Sequence, residues 1–312
     1  MMKQFLKRIL HFTFLLLLIF MVGMILPATP RVSESILFVK NDKDSLLANV
    51  DSPRIIFLGA SNLLLGLNSQ IIHDSLRLNP INASLFWGIG LIYMMDNAIN
   101  YIKSGDIVVV SSDYSEFYGE LAYGREELLW TVLDVSPSSI MKLRSEQWLN
   151  IFRFLPSYSF SKFALTEWLF KYENAIYSRN SCNRYGDMYT HWGLAKPKLV
   201  PLKKIAGDFN SSIIDELVKF QTRLREKDSF LYITFPAYDS ASFQTFKTKI
   251  FEVENELKKK HFALLGTPYR YNVPDSLAFD GAGHLTKEGC DYRTRLLIED
   301  LKVQMREKHW VY

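Results

Sequence analysis

The sequence predicts an α/β protein with a doubly wound, mostly parallel five-stranded sheet that is flanked by helices. Short apolar runs of four to six residues recur along the chain and end at turn residues, as buried strands do. Stretches with helical periodicity separate these runs, and such alternation is typical of a parallel sheet covered on both faces. The composition, 48% hydrophobic and 22% charged over 312 residues, is that of a folded globular protein. To this core the sequence adds an N-terminal transmembrane helix and an aromatic-rich helical insertion.

The first element is an apolar run, Ile9–Leu26, preceded by Lys3, Lys7 and Arg8. About 18 to 20 apolar residues are needed for a helix to cross the hydrocarbon core of a membrane, and this run reaches that length. The basic residues predict a cytoplasmic N-terminus and a single-pass protein whose main domain is extracytoplasmic, in a periplasm or at the cell surface. We favour an uncleaved anchor, residues 1–30, over a cleaved signal peptide. The run is long for a signal peptide, and no A-x-A site follows it.

A polar connector, residues 31–53, leads to the predicted α/β domain, residues 54–312. Five strand candidates are short apolar runs: Arg54–Leu58, Ile81–Leu85, Ile107–Ser111, Phe230–Phe235 and Phe262–Leu265. The helical candidates are Leu63–Leu76, Gly90–Tyr101, Ser211–Lys227, Ser242–Lys260 and Lys287–Glu307. Sites in such sheets lie beyond the carboxyl ends of the strands, so catalytic residues are expected directly after the strand candidates.

An insertion at about residues 119–205 interrupts the alternation of strands and helices. It is rich in aromatic residues, among them Trp130, Trp148 and Trp168, and mostly helical in pattern. We expect it to build a small core of its own. The alternative is a lid or an acceptor-binding surface over the site.

Charge and cysteines exclude several classes of function. The formal net charge is only +4, and no dense basic run interleaved with aromatics occurs, which argues against nucleic-acid binding. Cys182 and Cys290 lie far apart and form no C-x-x-C motif, so neither a zinc site nor a redox pair is indicated. The sequence leaves open whether they form a disulfide or stay as two thiols.

The first candidate for chemistry is Gly59-Ala60-Ser61-Asn62, directly after the first strand and before a helix. A serine in such a turn has an exposed hydroxyl, and the N–H groups of the helix start point towards developing negative charge. Gly59 removes the Cβ that would crowd a sharp turn. By itself this motif is better explained by Ser61 acting as a helix cap.

The second candidate is the segment from Asp280 to Gly289, just before the last helix, which contains His284. A carboxylate beside a histidine can orient the ring and keep it basic, as the base of an acyl transfer must be. No metal site is predicted, because no second His or Cys lies at ligand spacing. Of the other histidines, His191 in Thr190-His191-Trp192-Gly193 is the one to follow.

These two segments together resemble the first and last conserved blocks of the SGNH (GDSL-like) hydrolase superfamily. Asn82–Gly88 is similar to the second block of that family. The resemblance covers roughly residues 54–118 and 228–305 and implies an SGNH, flavodoxin-like fold that needs no cofactor. It implies Ser61 as nucleophile, His284 as base and Asp280 as the acid that orients it. The backbone N–H groups of Ser61 and Gly88 would form the oxyanion hole.

Two departures from the family pattern add further candidates. The third block normally carries G-x-N-D, whereas this chain reads Ser111-Ser112-Asp113-Tyr114. The asparagine that donates to the oxyanion is therefore absent, or replaced by Ser112 or Tyr114. The usual D-x-x-H spacing is widened to D-x-x-x-H, so Asp275 is a reserve candidate for the acid. Asn62, Asp113 and Tyr114 are the remaining candidate site residues.

The inferred topology resembles that of membrane-anchored members such as the D-alanyl transfer protein of teichoic acids and the alginate acetyltransferases. It implies transfer or hydrolysis of an acyl ester, in particular O-acetyl, on a cell-surface or secreted polysaccharide. The implied partners are an acyl donor, a glycan and a multi-pass membrane acyltransferase. The alternative is a catalytically weak or inactive module that binds glycan or scaffolds an envelope polysaccharide machine, which the missing asparagine supports. A general lipase is a third, less favoured hypothesis.

Overall fold

A computed structural model describes residues 2–171, 176–281 and 283–307. Its centre is a parallel four-stranded sheet with the order β2-β1-β3-β4, so the prediction of an α/β fold with a parallel sheet is confirmed. The strands are β1 (Arg54–Gly59), β2 (Asn79–Asn82), β3 (Ile107–Ser111) and β4 (Phe230–Ile233). Every residue of β1 and β3 is buried, as expected for strands covered on both faces.

The predicted fifth strand is not formed as a strand. Phe262–Leu265 lies beside β4 in the parallel direction, but only Leu264 pairs, in an isolated bridge with Ile233. The segment is confined between two residues with positive φ, His261 at 56° and Gly266 at 67°, so the chain turns away before a ladder can extend. The predicted fifth strand is therefore reduced to one isolated bridge.

The second strand also begins earlier than predicted. It pairs with β1 over Asn79–Asn82, and the predicted residues beyond it continue alongside β1 through two single hydrogen bonds. The Ala83 N–H donates to the Phe57 carbonyl at 2.9 Å, and the Leu85 N–H donates to the Gly59 carbonyl at 3.1 Å. The chain therefore still delivers the following turn to the carboxyl end of β1.

The helices of the α/β core lie close to their predicted positions. The predicted helix at 63–76 is divided into α4 (Ser61–Leu64) and α5 (Ser69–Leu76), and α6 covers Leu91–Ala98. The later helices of the core are α11 (Ser211–Arg225), α12 (Ser240–Lys259) and α13 (Lys287–Glu307). The main hydrophobic core joins the sheet to these helices.

The N-terminal third of the chain begins with α1 (Met2–Ile25), which is long and apolar enough to cross a membrane, with a mean hydropathy of 2.7 over its most apolar window. Residues 31–53 are largely helical, with α2 (Pro30–Ser33) and α3 (Val39–Asn49). The side chains of Val39 and Leu47 are buried, so this segment packs against the domain. Both cysteines are free thiols.

The insertion consists of short helices that pack around a separate apolar cluster containing Leu128, Val132 and Ile151. Its helices are α7 (Glu126–Trp130), followed by a π-helical turn over Thr131–Val135, then α8 (Ser145–Ile151), α9 (Leu155–Ser161) and α10 (Leu165–Trp168). Short 3₁₀ turns occur throughout the chain: Ile36–Phe38, Trp87–Ile89, Tyr114–Phe117, Leu121–Tyr123, Pro137–Lys142, Phe152–Phe154, Arg179–Ser181 and Asp275–Leu277.

Candidate active site

Ser61 is the first residue of α4, two residues after the end of β1. The turn that presents it needs a glycine at position 59, because a Cβ there would lie 2.2 Å from the Ser111 carbonyl oxygen of the neighbouring strand. Ser61 is 9% exposed and lines a cavity. The strand-to-helix turn thus presents one largely buried hydroxyl to this cavity at the carboxyl edge of the sheet.

His284 and Asp280 meet this hydroxyl although they lie more than two hundred residues further along the chain. The His284 Nε2 is 2.9 Å from the Ser61 Oγ, and the His284 Nδ1 is 2.7 Å from the Asp280 Oδ1. Gly283 has a φ of +86°, and a Cβ on it would lie 2.9 Å from the Cβ of Asn62. The glycine therefore lets the histidine loop rest directly on the nucleophile turn.

Asp280 is held in its charged form. Burial by itself would raise the pKa of Asp280, but the hydrogen bond and charge of His284 and the hydroxyl of Tyr177 outweigh it and lower that pKa. An ionised carboxylate at Nδ1 fixes the tautomer that leaves Nε2 free to accept the serine proton. The arrangement can therefore support nucleophilic attack by Ser61.

Tyr177 is a site residue that the sequence analysis missed. Its hydroxyl donates to the Asp280 Oδ2 at 3.2 Å, while its carbonyl accepts from the Ile36 N–H at 2.9 Å. The tyrosine comes from the insertion and is held by the segment that follows the N-terminal helix. Nothing in the local sequence around Tyr177 signals this contact, which spans 103 residues.

His191 supports the loop of His284 and does not enter the site. Its Nε2 lies 2.9 Å from the Leu285 carbonyl, which requires the N–H on that nitrogen, and its ring packs on Phe279 at 5.2 Å between centroids. Burial lowers the pKa of His191 to about 4, so the ring is neutral near neutral pH. His191 therefore supports Leu285, the residue that follows His284.

Gly88, the second predicted oxyanion donor, lies in the 3₁₀ turn Trp87–Ile89. The Glu127 carboxylate faces it: a Cβ on Gly88 would lie 2.1 Å from the Glu127 Oε2. Burial raises the pKa of Glu127. The neighbouring Trp87 lines the cavity that contains Ser61, whereas Gly88 is not among its lining residues.

The residues after β3 do not replace the missing asparagine. The Ser112 hydroxyl donates to the Glu116 Oε2 at 2.7 Å, and Tyr114 is buried with a hydroxyl that has no partner among the described residues. Asp113 does line the cavity, but its Oδ1 already accepts from the N–H and hydroxyl of Ser115 and from the Tyr238 hydroxyl. At the carboxyl end of β3, the group that faces the cavity is therefore the Asp113 carboxylate, a hydrogen-bond acceptor, and not an amide donor.

Two further candidates are placed outside the reacting pair. The Asn62 Nδ2 donates to the carbonyl and hydroxyl of Ser111, at 3.2 and 3.1 Å, and so ties the nucleophile turn to β3. Asp275, the reserve acid, is exposed, and its Oδ1 accepts from the Ser240 N–H at 2.8 Å. Of the two candidate acids, the structure brings Asp280 to His284.

A cavity of about 700 Å³ opens above Ser61 and His284. Aromatic side chains from the turn after β2 and from the segment just before the insertion form part of its wall, among them Trp87 and Tyr118. Arg125, Arg153 and Lys204 also line it, and none of the three forms a salt bridge with a described carboxylate. The cavity also contains acidic side chains, so it suits a large polar ligand. Within the described part of the chain, no group of three or more His, Cys, Asp or Glu side chains is placed to hold a metal ion.

Comparison with known proteins gives no significant match to a family model, to a curated protein or to a solved structure.

Proposed function

We propose that this protein is a serine-dependent esterase or O-acyltransferase of the SGNH type. The observation that carries the proposal is the chain of hydrogen bonds from Ser61 through His284 to Asp280, with distances of 2.9 and 2.7 Å. A buried serine that merely capped a helix would not need a histidine at its hydroxyl, nor a carboxylate at the far side of that histidine. Ser-His-Asp arrangements of this kind occur on unrelated folds and are identified by the distances between the three side chains and by the role of each.

The reaction follows from the protonation states. His284 Nε2 takes the hydroxyl proton while the Ser61 Oγ attacks the acyl carbonyl, and Asp280 stabilises the imidazolium that forms. The imidazolium then gives its proton to the leaving alcohol, which leaves an acyl group esterified to Ser61. A sugar hydroxyl or a water molecule, deprotonated by the same nitrogen, releases the acyl group and regenerates the serine.

The substrate that we propose is an O-acyl ester, in particular O-acetyl, on a cell-surface or secreted polysaccharide. The cavity is large enough for sugar residues. Its aromatic side chains, together with cations that form no salt bridge to a described carboxylate, suit sugar rings that carry acidic groups. We further propose that α1 anchors the protein in a membrane, with the domain outside the cytoplasm. A multi-pass membrane acyltransferase would then supply acyl groups to Ser61.

The test uses the full-length protein in detergent and a p-nitrophenyl acetate substrate. We expect ester hydrolysis and an acyl adduct on Ser61 by mass spectrometry, and we expect Ser61→Ala to abolish both. Ser115→Ala is the matched control, because it removes another hydroxyl that lines the same cavity and should leave the adduct on Ser61. If wild type and Ser61→Ala hydrolysed the ester at the same slow rate and no adduct appeared on Ser61, the proposal that this protein is an enzyme would be wrong.

That negative result would favour the second candidate, an inactive module that binds glycan or acts as a scaffold. The observation on its side is Asp113, which places a carboxylate at the end of β3, where the resembled family has an amide donor. Acidic polysaccharide fragments should then bind wild type and Ser61→Ala with equal affinity.

A further inference from the structure

The insertion touches the N-terminal helix inside its apolar run. The Ser159 hydroxyl of α9 donates to the Phe20 carbonyl of α1 at 2.7 Å, and the rings of Phe20 and Phe160 lie 6.4 Å apart. Gly23 is buried against α9, since a Cβ on it would lie 2.3 Å from the Ser159 carbonyl oxygen. Close contact through small residues is how helices pack within a bilayer.

The position of this contact along α1 fixes its depth. Phe20 lies six residues before Leu26, the end of the apolar run. At 1.5 Å per residue this separation is about 9 Å along the helix axis. If the apolar run spans the hydrocarbon core, as the proposed anchor requires, α9 therefore meets α1 below the level at which α1 leaves that core.

The chain after this contact exposes apolar side chains beside the same end of α1. Phe163 is 48% exposed, Leu165 69% and Leu169 68%, and Trp168 and Phe160 are exposed as well. The helix α10, which carries two of them, is fixed next to α2 by an ion pair of 2.8 Å between Glu167 and Arg31. We call these five residues the membrane edge: Phe160, Phe163, Leu165, Trp168 and Leu169.

Three polar side chains close to the membrane edge are satisfied within the protein: Ser161, Trp168 and Lys162. The Ser161 hydroxyl donates to the Tyr158 carbonyl at 2.7 Å, and the Trp168 indole N–H donates to the Lys162 carbonyl at 2.8 Å. The ammonium of Lys162 is buried in an ion pair with Asp134 at 2.8 Å and also donates to the Pro27 carbonyl at 3.1 Å. These three side chains can therefore enter lipid without leaving their polar groups unpaired.

We infer that the membrane edge is immersed in the lipid leaflet at the C-terminal end of α1 and contacts acyl chains and the interface. This inference rests on the anchor that forms part of the proposed function. The protein is then held at the bilayer by two contacts, α1 and the membrane edge, which together fix how the domain is oriented to the membrane. Trp and Phe side chains at the interface are typical of such a contact.

The experiment measures lipid exposure at single positions of the full-length chain in phosphatidylcholine and phosphatidylglycerol vesicles. Nitroxide labels are attached to Leu165→Cys and Leu169→Cys in a Cys182→Ser background, because Cys290 is fully buried. Collisions with oxygen, which partitions into lipid, and with a water-soluble nickel chelate are compared. A label at Leu15→Cys reports the anchor, and one at Val303→Cys reports an apolar residue exposed on α13.

We expect the two edge labels to resemble Leu15→Cys, with oxygen collisions exceeding nickel collisions, and Val303→Cys to show the reverse. Edge labels with nickel collisions as frequent as at Val303→Cys would overturn the inference. So would edge labels shielded from both reagents, because a second copy or another protein would then cover the edge. If the label at Leu15→Cys collided more often with the nickel chelate than with oxygen, the proposal that α1 is a membrane anchor would be wrong as well. The acyl adduct on Ser61, measured in the same vesicles, reports separately on the catalytic proposal.

Discussion

Replacing Asp280 with asparagine is the sharpest test of the catalytic geometry. The Asp280 Oδ1 lies 2.7 Å from the His284 Nδ1, and the side chain keeps a lowered pKa. An asparagine amide in its place can donate to Nδ1, which favours the tautomer with its proton on Nε2. That nitrogen could then no longer accept the Ser61 proton. On the scale of the same replacement in a serine protease, kcat should fall by about 10⁴-fold, or about 5.4 kcal/mol in the barrier.

The matched control is Asp275→Asn, which makes the same chemical change in the reserve acid. Asp275 is exposed and bonds to the Ser240 N–H, a bond that an asparagine oxygen can still accept, so kcat should stay close to the wild-type value. The assay is the rate of p-nitrophenyl acetate turnover together with the rate of adduct formation on Ser61. If Asp280→Asn kept more than about a tenth of kcat, or if Asp275→Asn lost as much, the assignment of the acid would be wrong.

Three further predictions concern residues around the pair. Tyr177→Phe removes the hydroxyl at the Asp280 Oδ2 and should lower kcat about fivefold, the effect of about 1 kcal/mol, while the melting temperature changes little. Folded His191 stays neutral down to a pKa of about 4, whereas the unfolded chain binds a proton below about 6.5. The free energy of unfolding should therefore fall by about 1.4 kcal/mol per pH unit as the pH drops through this window, and urea titrations of His191→Gln should show a flatter dependence. Arg153→Gln should raise KM for an acidic glycan acceptor and leave p-nitrophenyl acetate turnover unchanged, and an unaltered KM would exclude Arg153 from acceptor binding.

The sequence was sufficient for those parts of the fold whose signals are local. β1 and β3 are continuous apolar runs buried on both faces, and their ends were predicted to within one residue. The fifth strand failed because strand length depends on what pairs with it, and the turn residues His261 and Gly266 limit that pairing to one bridge. The segment 31–53 has no strong apolar periodicity, although tertiary contacts make most of it helical.

In the candidate site, too, residues with a local sequence signal could be predicted, and residues placed by tertiary contacts could not. Ser61 and His284 follow from their positions after the first strand and before the last helix, where parallel topology brings the chain to one edge of the sheet. Asp280 and Asp275 could not be separated by spacing alone, because the choice depends on the course of a loop. Tyr177 could not be predicted, since its contact joins the insertion to the last loop and has no local signature.

If the proposed function holds, we expect the oxyanion to be stabilised by fewer donors than in the family that the chain resembles. A carboxyl side chain has no N–H group, so Asp113 cannot supply the amide donor that an asparagine would. The Glu127 carboxylate beside Gly88 would oppose a developing negative charge if it were ionised, and burial raises its pKa towards the neutral form. The loss of one donor costs about 3 to 4 kcal/mol of transition-state stabilisation. With the Ser61 N–H as the proposed backbone donor, we expect slow chemistry in both the acylation and the deacylation of Ser61.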